Sequence, residues 1–261
     1  MKKTLLFASF IALTSTGAFA LTASDDASNY GSGWTDGSNG GSGFGLWSLN
    51  NNDGGGIAPF AGNFIGDSTA GAGDINTGAS QSFGLYANPG AAFSTAIRSF
   101  SSALTTNDQF SFNFAVNFDN GNKGFNLRTA GDSIFNFNVG SGASVSSANA
   151  TLNATLATYD YGGGDAMLEA VLTVISPSSI NYLIRRVSGQ GAQGDLFTGS
   201  VTGITGSIDN FELYVSGTDD GSAQNNLYFN NLDVSVVPEP SAYGLLAGLA
   251  ALAFVMLRRR V

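Results

Sequence analysis

The chain has 261 residues with 36 glycines and 20 phenylalanines, and it contains neither cysteine nor histidine. That excludes a disulfide framework, Ser-His-Asp or Cys-His catalytic machinery and His-ligated zinc, while a hard-cation site of Asp and Asn oxygens, with calcium as cofactor, stays open. Nineteen acidic against ten basic residues give a net charge of −9, so no basic patch is available for nucleic acid, and anionic lipid is disfavoured for the same reason.

Lys2 and Lys3 precede an apolar stretch from Leu5 to Leu13, and Ala18-Phe19-Ala20 follows. This is the pattern of a secretory signal peptide over residues 1–20, with Ala18 and Ala20 as its A-x-A cleavage site. The body from Leu21 to Val237 is then exported. Two of the basic residues lie before it and three after it, and Glu239 also lies after it, so the body holds five basic and 18 acidic groups, a net of −13. Its length suits one all-β sandwich domain and can bury a full core.

Residues 21–43 are rich in Gly, Ser, Asn and Asp, with Trp34 the main apolar anchor, and read as a poorly periodic lead-in. The sandwich domain is expected over 44–236. Strands are predicted at Phe83 to Ala87 and Phe93 to Phe100. The clearest runs from Gln109 to Phe118, where Phe110, Phe112, Phe114, Val116 and Phe118 share one face and polar residues alternate with them. Asp119-Asn120-Gly121-Asn122 makes a turn, and Lys123 to Arg128 returns. Further strands are expected at Ser133 to Val139, Ala150 to Thr158, Met167 to Ile175, Ser179 to Val187, Asp195 to Val201, Ile208 to Ser216 and Asn226 to Val236. Turn residues such as Gly162-Gly163-Gly164, Ser176-Pro177, Gly189-Gln190-Gly191 and Asp219-Asp220-Gly221 separate them. The pattern predicts an all-β, two-sheet antiparallel jelly-roll sandwich of about eleven or twelve strands.

The chain closes on Val237-Pro238-Glu239-Pro240, an uncharged run from Ser241 to Leu257, and Arg258-Arg259-Arg260. As a helix the run is roughly 25 Å long, the short end of what spans a bilayer. The arginines mark a cytoplasmic end, and the prolines place the helix start after Pro240. Gly244 and Gly248 form a small-xxx-small pair, a spacing that an Ala-rich segment produces by composition. The order of these parts over residues 237–261 resembles the PEP-CTERM sorting signal of Gram-negative bacteria. The resemblance implies that an exosortase, a membrane-embedded cysteine transpeptidase, recognises Pro238, Glu239, Pro240, Arg258, Arg259 and Arg260. It also implies export to the envelope or matrix, with residues 241–257 in the membrane before processing, and a link to exopolysaccharide and biofilm.

The body has its own likeness. Ser82-Phe83-Gly84-Leu85-Tyr86-Ala87-Asn88, Phe118-Asp119-Asn120-Gly121, Lys123-Gly124-Phe125-Asn126-Leu127-Arg128 and Leu227-Tyr228-Phe229-Asn230-Asn231-Leu232 are similar to bodies found ahead of such tails, which resemble the concanavalin A-like lectin/glucanase jelly roll. By analogy this implies carbohydrate contact. The family's glucanases carry a Glu-x-Asp-x-x-Glu strand. Here Glu169 and Glu212 each lack an acid two residues away, and regular alternation puts Asp209 and Glu212 on opposite faces, so the sequence favours a non-enzyme.

Candidate binding groups each have a plainer structural reading. Asp119-Asn120-Gly121-Asn122 and Asp219-Asp220-Gly221-Ser222 offer oxygens for calcium and are also what tight turns need. Trp34, Trp47, Tyr86, Tyr159, Tyr161 and Tyr228 could stack on sugar, or serve as core. Asn149 and Asn153 begin glycosylation sequons that a bacterial tail makes irrelevant, and Gly54-Gly55-Gly56 is a loop. Two readings compete, a polysaccharide-binding module and a structural matrix component without a defined ligand, with a β-glucan hydrolase behind both.

Overall fold

In a computed structural model of the chain, the described residues are 21–31, 33–55, 60–88, 90–140, 142–148, 150–156, 166–189 and 194–238, with Gly248, Leu249 and Leu252 beyond them. Ala18, Ala20, Tyr159, Tyr161, the glycines 162–164, Glu239, Pro240 and Arg258 to Arg260 lie outside this set.

Among the described residues there are fifteen strands, in order β1 Ala23–Asp25, β2 Phe44–Asn52, β3 Ala61–Gly66, β4 Ser82–Ala87, β5 Phe93–Leu104, β6 Asp108–Val116, β7 Asn122–Thr129, β8 Asp132–Val139, β9 Ala143–Ser146, β10 Thr151–Leu156, β11 Ala166–Ser176, β12 Ser179–Gly189, β13 Gly194–Thr202, β14 Ile208–Ser216 and β15 Leu227–Val236. The large sheet has nine strands, in the order β10-β13-β12-β11-β6-β15-β4-β3 with β1 also on β15, and the small sheet six, in the order β2-β5-β14-β7-β8-β9. Every pairing is antiparallel.

The two sheets meet through phenylalanine. On β6, Phe110, Phe112 and Phe114 are buried and alternate with half-buried polar residues. Phe110 lies 4.7 Å from Phe211 of β14, Phe112 4.8 Å from Phe125 of β7, and Phe114 5.4 Å from Phe137 of β8. Such pairs add roughly 0.5–1.5 kcal/mol each beyond area burial, which matters in a chain with no disulfide to close it.

β6 ends two residues earlier than the alternation predicts. Asn117 donates to the Gly71 carbonyl (2.9 Å) and the Phe118 amide to the Gln224 carbonyl (3.2 Å). Those bonds draw the chain off the ladder, so Phe118 is 41% exposed rather than in the core.

Residues 21–43, read from sequence as a lead-in, are fastened to both sheets. Ala23 pairs with Val234, making β1 part of the large sheet. Asp26 then caps a short 3-10 turn, Ala27–Tyr30, by accepting from the Ser28 amide. Trp34 packs edge-on against Trp47 and Phe83. Beneath this, Asp25 of β1 pairs with Arg98 of β5, both side chains fully buried. The Arg98 guanidinium also donates to the carbonyls of Gly45 and Gly40 (2.8 Å each) and lies over the rings of Phe44 and Trp47. A buried charge pair holds only with its remaining donors satisfied, and here they are.

β15 changes partner midway. Leu227 to Phe229 pair with β4 and Leu232 to Val234 with β1, leaving a break at Asn230 and Asn231. Asn231 takes the left-handed conformation (φ +56°), which Asn tolerates. The buried Asn230 amide accepts from Ala27 (2.9 Å) and donates to the carbonyls of Ile75 and Gln81 (2.9 Å each). One side chain thus ties the β1–β2 and β3–β4 connections to the sheet.

Candidate functional site

Several polar side chains converge on the solvent face of the small sheet, because β7, β8 and β14 send Phe125, Phe135, Phe137 and Phe211 inward and alternate polar residues outward. Asn126 of β7, Asn136 of β8, and Glu212 and Tyr214 of β14 line a cleft of about 300 Å³ with Phe93 and Thr95 of β5. Gly124 makes room for the tyrosine: it pairs with Tyr214, and a Cβ there would lie 2.9 Å from the tyrosine hydroxyl and 1.9 Å from the Phe137 carbonyl.

The cleft floor is a hydrogen-bonded chain across three strands. Ser133 donates to the side-chain Oδ1 of Asn126 (2.7 Å), to which Asn136 also donates (3.0 Å). Asn136 donates to the Tyr214 hydroxyl (2.8 Å), and that hydroxyl donates to the side-chain Oδ1 of Asn138 (3.1 Å). Asn126 in turn donates to the Glu212 carboxylate (3.0 Å), which Arg128 approaches at 3.2 Å. Burial pushes the Tyr214 phenol up to about 12, the Asn136 bond working against this and the Glu212 charge with it. The phenol is therefore neutral at ordinary pH and works as donor and acceptor together.

The carboxylates considered for catalysis are far apart in role. Glu169 sits on β11 of the large sheet and pairs with Arg185. Asp209 departs from the sequence expectation: a bulge in β14 between Ile208 and Asn210 shifts the alternation, so Ile208 is buried and Asp209 lies half-buried, as Glu212 does. Asp209 and Glu212 thus share the non-core side. Asp209 accepts from the Ala130 backbone amide (3.2 Å) and the Asn210 side-chain amide (2.6 Å) and is not among the groups around the cleft.

Of the four described aromatics considered for sugar stacking, three are core. Trp34, Trp47 and Tyr228 are at most 3% exposed, and Tyr86 is half-buried against Phe64. The two acidic turns come together, but around a lysine. Lys123 is fully buried, donates to the carbonyls of Phe118 (2.7 Å) and Asn120 (2.6 Å), and feels the charges of both Asp119 and Asp219. Backbone carbonyls and carboxylates are what calcium would take, and here they face a tethered ammonium. Among the described residues no group of three or more acidic side chains is placed to hold a metal. The Asn149 side chain and that of Asn153 lie outside the described set.

Sequence reasoning missed the cleft because it sought exposed aromatics. The available signal was the polar set at alternate positions: Asn126 and Arg128, Asn136 and Asn138, Glu212 and Tyr214.

At the other functional end of the chain, Val236 is the last residue of β15, the Val237 amide donates to the Asn107 carbonyl (2.8 Å), and Pro238 is exposed. No linker separates the sheet from Pro238. Among the described residues no helix is long and apolar enough to cross a membrane.

No curated protein matches the chain. Among solved structures it is similar to a sialidase at 12% identity and a TM-score of 0.44 over 83% of this chain, which spans only 18% of that protein. It is also similar to the binding domain of Botulinum neurotoxin serotype D (8%, TM-score 0.36, 78% of this chain and 46% of that one). A third is the Caenorhabditis elegans galectin LEC-6 (11%, TM-score 0.28, 50% and 84%). Residues 236–260 match the PEP-CTERM protein-sorting motif, and the chain thus carries the sorting signal of an exported, envelope-associated protein handled by an exosortase.

Proposed function

We propose that this is a cell-surface or matrix protein whose jelly-roll body binds exopolysaccharide in the Tyr214 cleft without cleaving it. In this reading residues 241–257 hold the newly exported chain in the inner membrane until the exosortase acts at Pro238 to Pro240. The single observation that supports binding is the amide and hydroxyl chain through Asn126, Asn136 and Tyr214, set beside Phe93 in an open cleft. Convergent polar groups beside an aromatic wall are what a sugar ring uses. Glycoside hydrolysis needs two carboxylates flanking the bond, whereas among the described residues Glu212 is the one carboxylate lining the cleft and is already bonded to Asn126 and Arg128.

A structural role without a ligand is the second reading, favoured by the fact that these amides already satisfy one another. Retention of the body, residues 21–237, on exopolysaccharide from the native matrix separates the two. Binding weakened about tenfold by Asn136→Ala, as the loss of one or two hydrogen bonds predicts, supports the cleft. No retention on any matrix polymer leaves the structural role. Release of sugar from β-glucan, abolished by Glu212→Gln, would overturn the non-catalytic reading.

A further inference from the structure

We propose that the end of the sandwich from which the sorting tail departs is a membrane-resting face, seated on phospholipid headgroups while the tail is still attached. The inference rests on reading residues 241–257 as the membrane segment.

Both junctions of the body lie at this end. β1 and β15 run antiparallel with Ala23 opposite Val234, so the start of the mature chain and its exit into the tail are neighbours. The exit is tied to the turns around it. Val237 donates to the Asn107 carbonyl and Asn107 to the Val174 carbonyl (2.8 Å each), and Ile204 donates to the Ser178 carbonyl (3.1 Å). The β5–β6 turn, the β11–β12 turn, the β13–β14 loop and the tail exit therefore form one continuous surface.

That surface carries no charge, although the body carries −13. Residues 101–107, 172–181, 197–207 and 234–238 contain no ionisable side chain. The acid that follows the first turn, Asp108, is only 2% exposed, and its carboxylate accepts from the Thr105 amide (2.7 Å) and hydroxyl (2.9 Å). What the face shows is Thr106, Pro177, Ser178 and Thr205 with Ile175, Val236 and Val237, the last three 46%, 37% and 38% exposed. The charged groups described near this end are Arg128, Asp132 and Asp209, on the neighbouring strands β7, β8 and β14 of the small sheet, and Asp233, half-buried on β15 opposite Ser111. Asp119, Asp219 and Asp220 lie at the opposite end, where β7 begins and β14 finishes.

Distance makes the match consequential. From Pro238 to Ser241 are three residues, which extended reach only about 10 Å. The body cannot stand far off the bilayer that receives the tail. An acidic face held there would be repelled by anionic headgroups; a neutral face of hydroxyls with three aliphatic side chains is not.

The absence of cysteine allows single labels. Full-length chain carrying Thr106→Cys, Ser178→Cys or Thr205→Cys, and Asn52→Cys at the far end, is given a fluorophore and reconstituted in vesicles containing anionic lipid and headgroup spin-labelled lipid. The proposal expects labels at 106, 178 and 205 to be quenched several-fold more than the label at 52. A chain that floats with vesicles but shows equal, weak quenching at all four sites overturns this inference and leaves the anchor reading standing. A chain that does not float overturns the anchor reading itself. Protection of the three sites only when exosortase is added would also overturn it, assigning the face to the enzyme rather than to lipid.

Discussion

Lys123 sets a pH dependence that a surface lysine would not. Burial brings its ammonium from the ordinary 10.5 down to about 8, against the upward pull of Asp119 and Asp219. Between about pH 8 and 10 the unfolded chain holds a proton at this site that the folded chain has released, so stability rises with pH across that window. Above 10 the sign reverses. Tyrosines of the unfolded chain ionise there, while Tyr30 and Tyr214 are held near 12, chiefly by burial. Urea midpoints should therefore climb from pH 8 to about 10 and fall beyond, and Lys123→Met should flatten the climb. A wild-type midpoint that falls steadily from pH 8 would contradict the assignment. None of this was legible in the sequence, where Lys123 reads as the first residue of a returning strand; its burial depends on two turns, at Asp119 and at Asp219, far apart in the chain.

Among the elements, the strands with alternating phenylalanine were legible nearly to the residue, because a half-buried sheet forces period two on its side chains. β2 and β3 were not. Their residues include Gly45, Gly62, Asn50 and Asn63, and their stability comes from contacts across the sheet, with Tyr86 lying over Gly62. The bulge in β14 was equally hidden, since a shift in pairing register leaves no mark on composition. β1 is the extreme case: three residues with no apolar run, fixed by the Asp25–Arg98 pair between positions 73 apart. Arg98→Met is expected to destabilise the protein by about 3–5 kcal/mol in urea unfolding, because breaking a buried pair from one side leaves the buried Asp25 without its partner. Adding Asp25→Asn should recover part of that loss, since partners in one network are not additive. A cost within the range of a surface substitution would mean that the lead-in residues are not held by this pair.

For the whole molecule, the sandwich class and the sorting tail could be read from the sequence, the first from periodicity and the second from the order of a proline motif, an apolar run and a basic end. The cleft and the polarity of the body could not. Both depend on which strands become neighbours, and Asn126, Asn136 and Glu212 come together only once β14, β7 and β8 lie side by side in one sheet. The same topology puts β15 in the middle of the large sheet and stops it at the sorting motif, so processing near Pro238 would leave every strand intact. The central claim, that the tail is a sorting signal removed after export, is tested most directly by the intact mass of the mature protein from the outer fractions of its native host. The account predicts a chain that starts near Leu21 and ends between Pro238 and Ser241. A mass that still includes Arg258 to Val261 would contradict it and make the tail a permanent membrane anchor.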